Sequence, residues 1–492
     1  MDYGNPYWLA FNNPMVATNK SFDSFHKALT GLGGTDEGAL TGGSALRVQS
    51  LDAALKDAIA KEEDYKFWRL LRHRPIWSMV DYYNRRTDVG GYPRSGFKGE
   101  TGPGADYNQN IARGFLAVSF IMHKGSVSWG AQNQKAVVDP LAAEQEAVML
   151  RCARDAEYGF LEGDSSTMPN EFNSLRKEIE DNATADHIVD LAGRDIQWTD
   201  ITNMLGFVKA HGNYGQITDA MMSNDCLADF ENITQDLLRA PIMLTGDPGA
   251  TKGQVLNLNI GAINTKFGLV TPDHNLNIRE DKLPLTVEYN ALIGETGAPG
   301  VSAGVVPVVA AGTTSFNKSL HYGRYYYLVI ARNDSGFSNH VITAAADVTS
   351  GNRVTLTIQQ SAGGLETCYE IYRSKKLAGT AAAPAATAGT DNYRRIGVVA
   401  KAAGVGAATF VDDNTSIPGT SEIYLITNKP EKDAIDIAVF AEPFQFPLAS
   451  ESRPIYPFLG ILMAALRVTK PKQHAIIKNV LPTRSTWNPF KA

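Results

Sequence analysis

The stretch GRYYYLVIARNDSGFS, Gly323–Ser338, decides how this chain is organised. Its alternation sets Tyr325, Tyr327 and Val329 on one face and Tyr326, Leu328 and Ile330 on the other, and aromatic and aliphatic residues of this kind suit an extended strand. Further runs follow at short intervals: RVTLTIQ points Val354, Leu356 and Ile358 inward, and CYEIYRS, YRRIGVVA and ATFVDDN come after it. Short strands separated by turn signals predict a two-sheet β-sandwich. Its core is expected to hold Tyr327, Val329, Leu356, Ile371 and Phe410. The Ala- and Thr-rich AGTAAAPAATAGT between two of these runs reads as a surface loop.

Beyond Gly294 on one side and Thr427 on the other, the texture changes. Downstream, IDIAVFAEPFQFPLA and FLGILMAALRVTKPKQHAIIKNV return to mixed helix and strand. Upstream, HIVDLAGRDIQ reads as a strand and turn, Asp200–Ala240 as helical periods broken at Gly212 and Gly215, and GAINTKFGLVTPDHNL as a strand pair. This is α+β texture without regular βαβ alternation. The sandwich therefore reads as an insertion.

The clearest helix is Asp139–Gly163: Asp139 suits the cap, Pro140 the first helical position, and Gly163 a stop. Leu141, Val148, Cys152 and Ala156 recur along it at helical spacing, over a rod of roughly 35 Å. Before it, Arg85–Asn133 is a glycine-rich excursion followed by the strand-like ARGFLAVSFIMHKGSVSWG. Glycines at 96, 99 and 102 mimic a collagen triplet but are far too few for a triple helix. Ser44–Leu71 reads as an amphipathic helix on Leu46, Leu55 and Ile59, and Met1–Gly43 as an extended arm.

At 492 residues the chain has room for about three domains, and 43% hydrophobic with 20% charged residues excludes wholesale disorder. The apolar run FLGILMAAL is far shorter than the roughly 20 residues a membrane span needs. The start MDYGNPYWLAFNNPM lacks the pattern of a signal peptide, which points to a cytoplasmic product. Cys152, Cys226 and Cys368 are too scattered for a disulfide framework or zinc site and read as small buried side chains. Net charge is −6, yet Arg467–Ala492 carries six Lys or Arg and no acid, leaving −12 for the rest. Such a tail either meets phosphates or an acidic neighbour, or is a solvated strand edge with a loose terminus.

No catalytic chemistry emerges. GDPGATKG, Gly246–Gly253, lacks the Gly-Lys-Ser/Thr of a phosphate loop, and HExxH, GxSxG and dinucleotide glycine patterns are absent, so no catalytic, cofactor or metal residue is assigned. Asp412, Asp413 and Asn414 have calcium-ligand chemistry, but a turn uses the same residue types and is the preferred reading. Lys98 is read as a solvated loop lysine rather than a cross-linking amine.

The order of arm, helix, excursion, long helix, α+β core and final strands resembles the major capsid proteins of tailed double-stranded DNA bacteriophages, with their Hong Kong-type fold. The stretches carrying the resemblance are AEQEAVMLRCARDAEYGFLEGDSS, EFNSLRKEI, DITNMLGFVKAHGNYGQITDAMMSNDCLADF, GAINTKFGLVTPDHNL and above all FQFPLASESRPIYPFLGILMAALRVTKPKQHAIIKNV. The resemblance implies an N-terminal arm and helix over 1–84, an extended β-hairpin loop over 85–133, and a first peripheral part with the spine helix over 134–171. It further implies axial parts over 172–293 and 428–447, and a closing peripheral part with the C-terminal tail over 448–492. Tyr92, Phe97, Lys98, Phe115 and Phe120 would then touch a neighbouring subunit. The inserted module, 294–427, resembles fibronectin type III or immunoglobulin-like domains on the stretches YYYLVIARNDSGFS, YEIYRS, YRRIGVVA and TFVDDN.

The implied function is structural: a virion head protein, assembled in the host cytoplasm into pentamers and hexamers that enclose double-stranded DNA without sequence-specific binding. Scaffolding and portal proteins are the implied partners, decoration proteins are further candidates, and no membrane is involved. With no long helical extension ahead of the arm, a separate scaffold is expected. Removal of Gly300–Ile423 is expected to leave assembling particles. An encapsulin-like compartment shell and a carbohydrate-active protein with an accessory fibronectin-like module are the alternatives.

Overall fold

The structure is a computed structural model. It describes residues 65–490 apart from 93, 95, 105, 135–138, 213–214, 236–261, 279–296, 313–315, 317, 387–391, 430, 432, 451–452 and 486. The expected arm over Met1–Gly43, most of the Ser44–Leu71 helix and GDPGATKG lie outside the described residues.

The first body is a four-stranded sheet under a long helix. Its order is β1 (His73–Pro75), β20 (Ile435–Pro447), β21 (Ile455–Val468) and β4 (Ser119–Ser128). Helix α3, Pro140–Glu162, buries Val148, Cys152, Ala156 and Phe160 at helical spacing against it. Two glycines permit the close approach. A Cβ on Gly460 would sit 2.4 Å from Val148 Cγ1, and one on Gly125 2.9 Å from Val148 Cγ2. The short helices α1 (Lys66–Leu70) and α4 (Leu175–Asn182) complete this core with Phe67, Leu71, Leu175 and Ile179. Glu157 of α3, fully buried, accepts hydrogen bonds from the amides of Phe67 and Trp68 at 2.8 and 3.1 Å and from Asn275 Nδ2 at 2.6 Å. A buried carboxylate thereby satisfies the orphan amides at the start of α1.

A second, six-stranded sheet runs β5 (Ile188–Asp190), β22 (Ala475–Val480), β19 (Ser421–Ile426), β6 (Asp219–Met222), β8 (Gly268–His274) and β7 (Ile263–Thr265). Strand β19 is buried on both faces. Ile423 and Leu425 meet α5 (Trp198–His211) and α6 (Asn224–Gln235), while Tyr424 and Ile426 join the core beneath α3. The hairpin of β2 (Val80–Asp88) and β3 (Asn110–Ala117) is a separate two-stranded element, and the short α2, Trp129–Asn133, follows β4.

Between these parts lies an all-β unit. One sheet orders β12 (Gly336–Phe337), β11 (Tyr327–Asn333), β16 (Cys368–Ser374) and β17 (Tyr393–Ala400), with β13 (Val341–Ile342) also on β11. Facing it are β18 (Ala408–Asp412), β15 (Asn352–Ile358) and β9 (Val305–Ala311), with the pair β10 (Gly323–Tyr325) and β14 (Ala346–Val348). Tyr325, Tyr327, Val329, Val354, Leu356 and Ile358 share one core between the sheets. Tyr326, Leu328 and Ile330, on the opposite face, are buried in another with Tyr372 and Tyr393.

Strand pairing corrects several expected boundaries. Ser421–Ile426, expected inside the insertion, is a central strand of the six-stranded sheet, held by β22 and β6. Ile435–Pro447, expected with the axial part, pairs with β21 and β1 beneath α3. Ala475–Val480, expected with the peripheral strands, pairs with β19 and β5. The hairpin begins at Val80 rather than Arg85, and β4 leaves it to pair with β21 over ten registered residues. Hydrophobic patterning alone does not distinguish two sheets that both need buried strands. The C-terminal segment is also not loose: Trp487 is 1% exposed, with Lys375 and Arg394 over its ring at 5.2 and 5.4 Å, and Phe490 stacks on His321 at 4.9 Å.

Candidate interaction surface

The hairpin exposes what an isolated fold would bury. Its outward face pairs Tyr82 with Phe115, Asn84 with Arg113 and Arg86 with Ile111. Tyr82 and Phe115 are 64% and 73% exposed, and the Arg113 guanidinium lies 5.8 Å from the centre of the Tyr82 ring. On the connection at 89–109, Tyr92 and Phe97 are exposed, Tyr92 meeting Tyr107 edge-on at 6.1 Å, and Lys98 is exposed beside them. Trp77, at the hairpin root, is 95% exposed. Exposed aromatic side chains grouped in this way make the hairpin a candidate interaction surface.

Phe120 belongs to a different surface. It lies on β4, on the face of the four-stranded sheet turned away from α3, opposite Met463. The next rows of that face are Met122, Ile461 and Phe444, then Lys124, Leu459 and Phe446. Phe120, Met122, Phe444 and Phe446 are all exposed. Sequence reading missed Trp77, Tyr82, Phe444 and Phe446. The two-residue spacing of Phe444 and Phe446 puts them on one face, but only the seat of α3 decides that this face is the open one.

Of the expected α3 residues, Val148, Cys152 and Ala156 are fully buried against the sheet, while Leu141 is half-buried near the start. The five residues expected in the sandwich core come together there: Tyr327, Val329, Leu356 and Ile371 are fully buried and Phe410 is packed at the rim.

The sandwich is joined to α3 through charge as well as apolar contact. Arg395 of β17 donates to Glu162 Oε2 at 2.8 Å and to the Tyr158 hydroxyl. Cys368 Sγ lies 3.2 Å from Sδ of Met168, in the segment after α3, and within the sandwich Arg332 donates to Glu370 at 3.1 Å. Burial raises the Cys368 thiol to about 12 and lifts the Glu171 carboxyl above its usual range. Within the sandwich, Arg373 donates to Asp412 at 2.7 Å and to Asn414 Oδ1 at 2.8 Å, and Tyr327 donates to Asp412 at 2.8 Å. Asp412 and Asn414 are thus engaged by a buried guanidinium rather than arranged around a cation. Among the described residues no cluster of three His, Cys, Asp or Glu side chains suits a metal ion. All three cysteines are buried, and no described helix is long and apolar enough to cross a membrane.

The described chain combines an exposed apolar hairpin, a long helix seated on a sheet, and a second sheet whose strands lie within 188–274 and 421–480. The chain is homologous along nearly its whole length to phage major capsid proteins. It is 23% identical over 460 residues to the major capsid proteins of Staphylococcus phage S25-3 and Staphylococcus phage K, covering 92% of this chain and 93% of each of those. No protein-family model matches. Among solved structures, the capsid of a native GTA particle is 8% identical with a TM-score of 0.44, covering 91% of this chain and 99% of that one. The Mycobacterium phage Bobi structure is 8% identical with a TM-score of 0.43, covering 88% and 96%.

Proposed function

We propose that this capsid-class structural protein tiles an icosahedral or prolate head as pentamers and hexamers around double-stranded DNA. The observation that carries the reading is the relation to phage major capsid proteins over 460 residues. The exposed hairpin supports it, because repeated heterologous contacts need limbs that reach beyond one subunit. Tyr92, Phe97, Lys98 and Phe115 contact the adjacent copy from the arm. Phe120, with Met122, Phe444 and Phe446, offers a separate apolar face for another. The two-sheet unit is an immunoglobulin- or fibronectin-like insertion on the outer side of the shell. Scaffolding and portal proteins complete assembly, and no step is enzymatic.

Expression of the chain, alone and with a co-expressed scaffolding protein, tests this by electron microscopy and sedimentation. Closed shells or ring-shaped capsomers are expected. A well-folded chain that stays monomeric under both conditions would count against the reading.

A further inference from the structure

Two stretches of chain cross side by side between the four-stranded and the six-stranded sheet. Residues 427–434 lead from β19 to β20, and residues 469–474 lead from β21 to β22. Hydrogen bonds tie one crossing to the other. The Thr427 amide donates to His474 Nδ1 at 3.3 Å and the Thr427 hydroxyl to Gln473 O at 2.7 Å, while the amides of Thr469 and Lys470 donate to Ala434 O at 3.0 and 3.3 Å.

One of these bonds fixes a proton. An amide only donates, so His474 Nδ1 must present its lone pair, and the single proton of the neutral ring sits on Nε2. A second proton would go to Nδ1, set N–H against N–H and abolish the bond. His474 and Thr427 are both fully buried, so no water stands ready to replace it. The turn that carries His474 is also weakly anchored. It is a single 3₁₀ turn, Pro471–Gln473, seated on the end of α5, where a Cβ on Gly212 would lie 2.3 Å from Lys472 O. Lys472 is exposed, and Gln473 Oε1 is buried without a hydrogen-bond partner among the described residues. Opening would hydrate that oxygen, and segments held by few apolar contacts open first.

The charged neighbours resist a proton more than they welcome it. His187, whose Nδ1 donates to His474 O at 3.0 Å, faces the ring directly. Behind it Lys472 and His211 oppose a further positive charge, and Asp186 favours one. On the other crossing Lys429 is engaged by Gln216 Oε1 at 2.7 Å, and Asp433 pairs with Arg72.

We infer that His474 is a proton-operated latch: the neutral ring ties the two crossings together, and proton uptake releases them as a local unit while both sheets stay folded. The latch belongs to a single subunit and is independent of the shell reading. Burial holds the closed ring down to about 4, whereas the opened segment regains the ordinary value near 6.5. Opening therefore becomes easier as pH falls below about 6.5 and levels off near 4.

Amide hydrogen exchange of the full chain at pH 7.5 and 5.0, with the intrinsic pH dependence divided out, reads the latch. The hydrogen-bonded amides of Thr427, Thr469, Lys470, Gln473 and His474 should exchange roughly 30-fold faster at pH 5.0. At both pH values they should be at least about tenfold less protected than the amides of α3, and insensitive to low denaturant, as for an opening that exposes little surface. In His474→Gln, whose amide oxygen can still accept from Thr427, the acceleration should fall to about threefold or less. His187→Gln, which can still donate to His474 O, should keep it in full. A parent without acceleration overturns the latch, and so do crossings that exchange only together with α3, because the opening is then global. An acceleration undiminished in His474→Gln, or lost in His187→Gln, assigns the proton to another group and overturns it too. Should His474→Gln not fold, the parent and His187→Gln decide between these outcomes.

Discussion

The hairpin and the two-sheet unit are both rich in aromatic residues, and they treat them in opposite ways. On the hairpin, Tyr82, Phe115, Tyr92 and Phe97 stand in solvent. In the β unit, Tyr325, Tyr327, Tyr369 and Tyr393 are almost completely buried, and Tyr326, Leu328 and Ile330 on the opposite face of β11 are buried as well. A two-stranded ribbon has no second layer to cover it, so its apolar residues wait for one. The β unit has two layers, and its outer face is further covered by the Leu377–Ala386 segment and by contacts to α3 and to Met168 beyond it. Aromatic content alone says nothing about which of these fates a strand meets.

Deleting the β unit breaks this comparison most severely. Excision of Gly300–Ile423 removes half of the central strand β19, and even a cut confined to 300–414 strips cover from Tyr158, Glu162 and Met168. Loss of soluble folding is expected for the longer deletion, measured as the soluble fraction after expression. Smooth, assembling particles from that variant would show that the unit is dispensable after all.

Point changes inside the unit come next. Asp412→Ala leaves Arg373 buried without its carboxylate, and breaking a buried pair from one side costs about 3–5 kcal/mol. A fall of that size should be visible in chemical denaturation. Trp487→Ala opens a void between Lys375, Arg394 and Gly419 and is expected to cost about 3 kcal/mol or more, loosening the C-terminal segment from the β unit. Hydrogen exchange at Lys376, whose amide donates to Pro489 O, reports that loosening directly.

A third expectation concerns pH. Burial pushes His474 down to about 4, with nearby His187 acting in the same direction. The folded state therefore holds this ring neutral, and its contribution is fully present above the unfolded value near 6.5. As pH falls from there towards 4 the unfolded chain binds the proton first, so roughly 3 kcal/mol is lost across that window. Denaturation midpoints of the parent and of His474→Gln, compared between neutral and mildly acidic pH, isolate the contribution. An unchanged slope in the variant would assign the acid sensitivity to other groups.

The smallest effect on stability belongs to the arm. Phe115→Ser with Tyr82→Ser should shift unfolding by about 0.5 kcal/mol or less, because neither ring is buried. Assembly should nonetheless weaken, as read by sedimentation. A large loss of stability would mean that the hairpin is held by its own aromatics, and the contrast with the β unit would fade.

Much of this fold was legible in the sequence. Proline at 140 and glycine at 163 bracket α3, and the spacing of Val148, Cys152 and Ala156 sets its buried stripe. Alternation in YYYLVIAR and RVTLTIQ assigned each side chain to a face, since a strand's period of two is fixed by its backbone. The same alternation makes β11 apolar on both faces, as befits a strand covered twice. Tertiary structure alone settled the rest. Which of two sheets receives Ser421–Ile426, Ile435–Pro447 or Ala475–Val480 depends on partners hundreds of residues away. Whether Phe444 and Phe446 face helix or solvent depends on where α3 comes to rest. Local sequence sets the period and the ends of an element, because those follow from backbone geometry and capping. Partner choice and exposure are properties of the whole packed chain, because many strands of similar pattern compete for the same places.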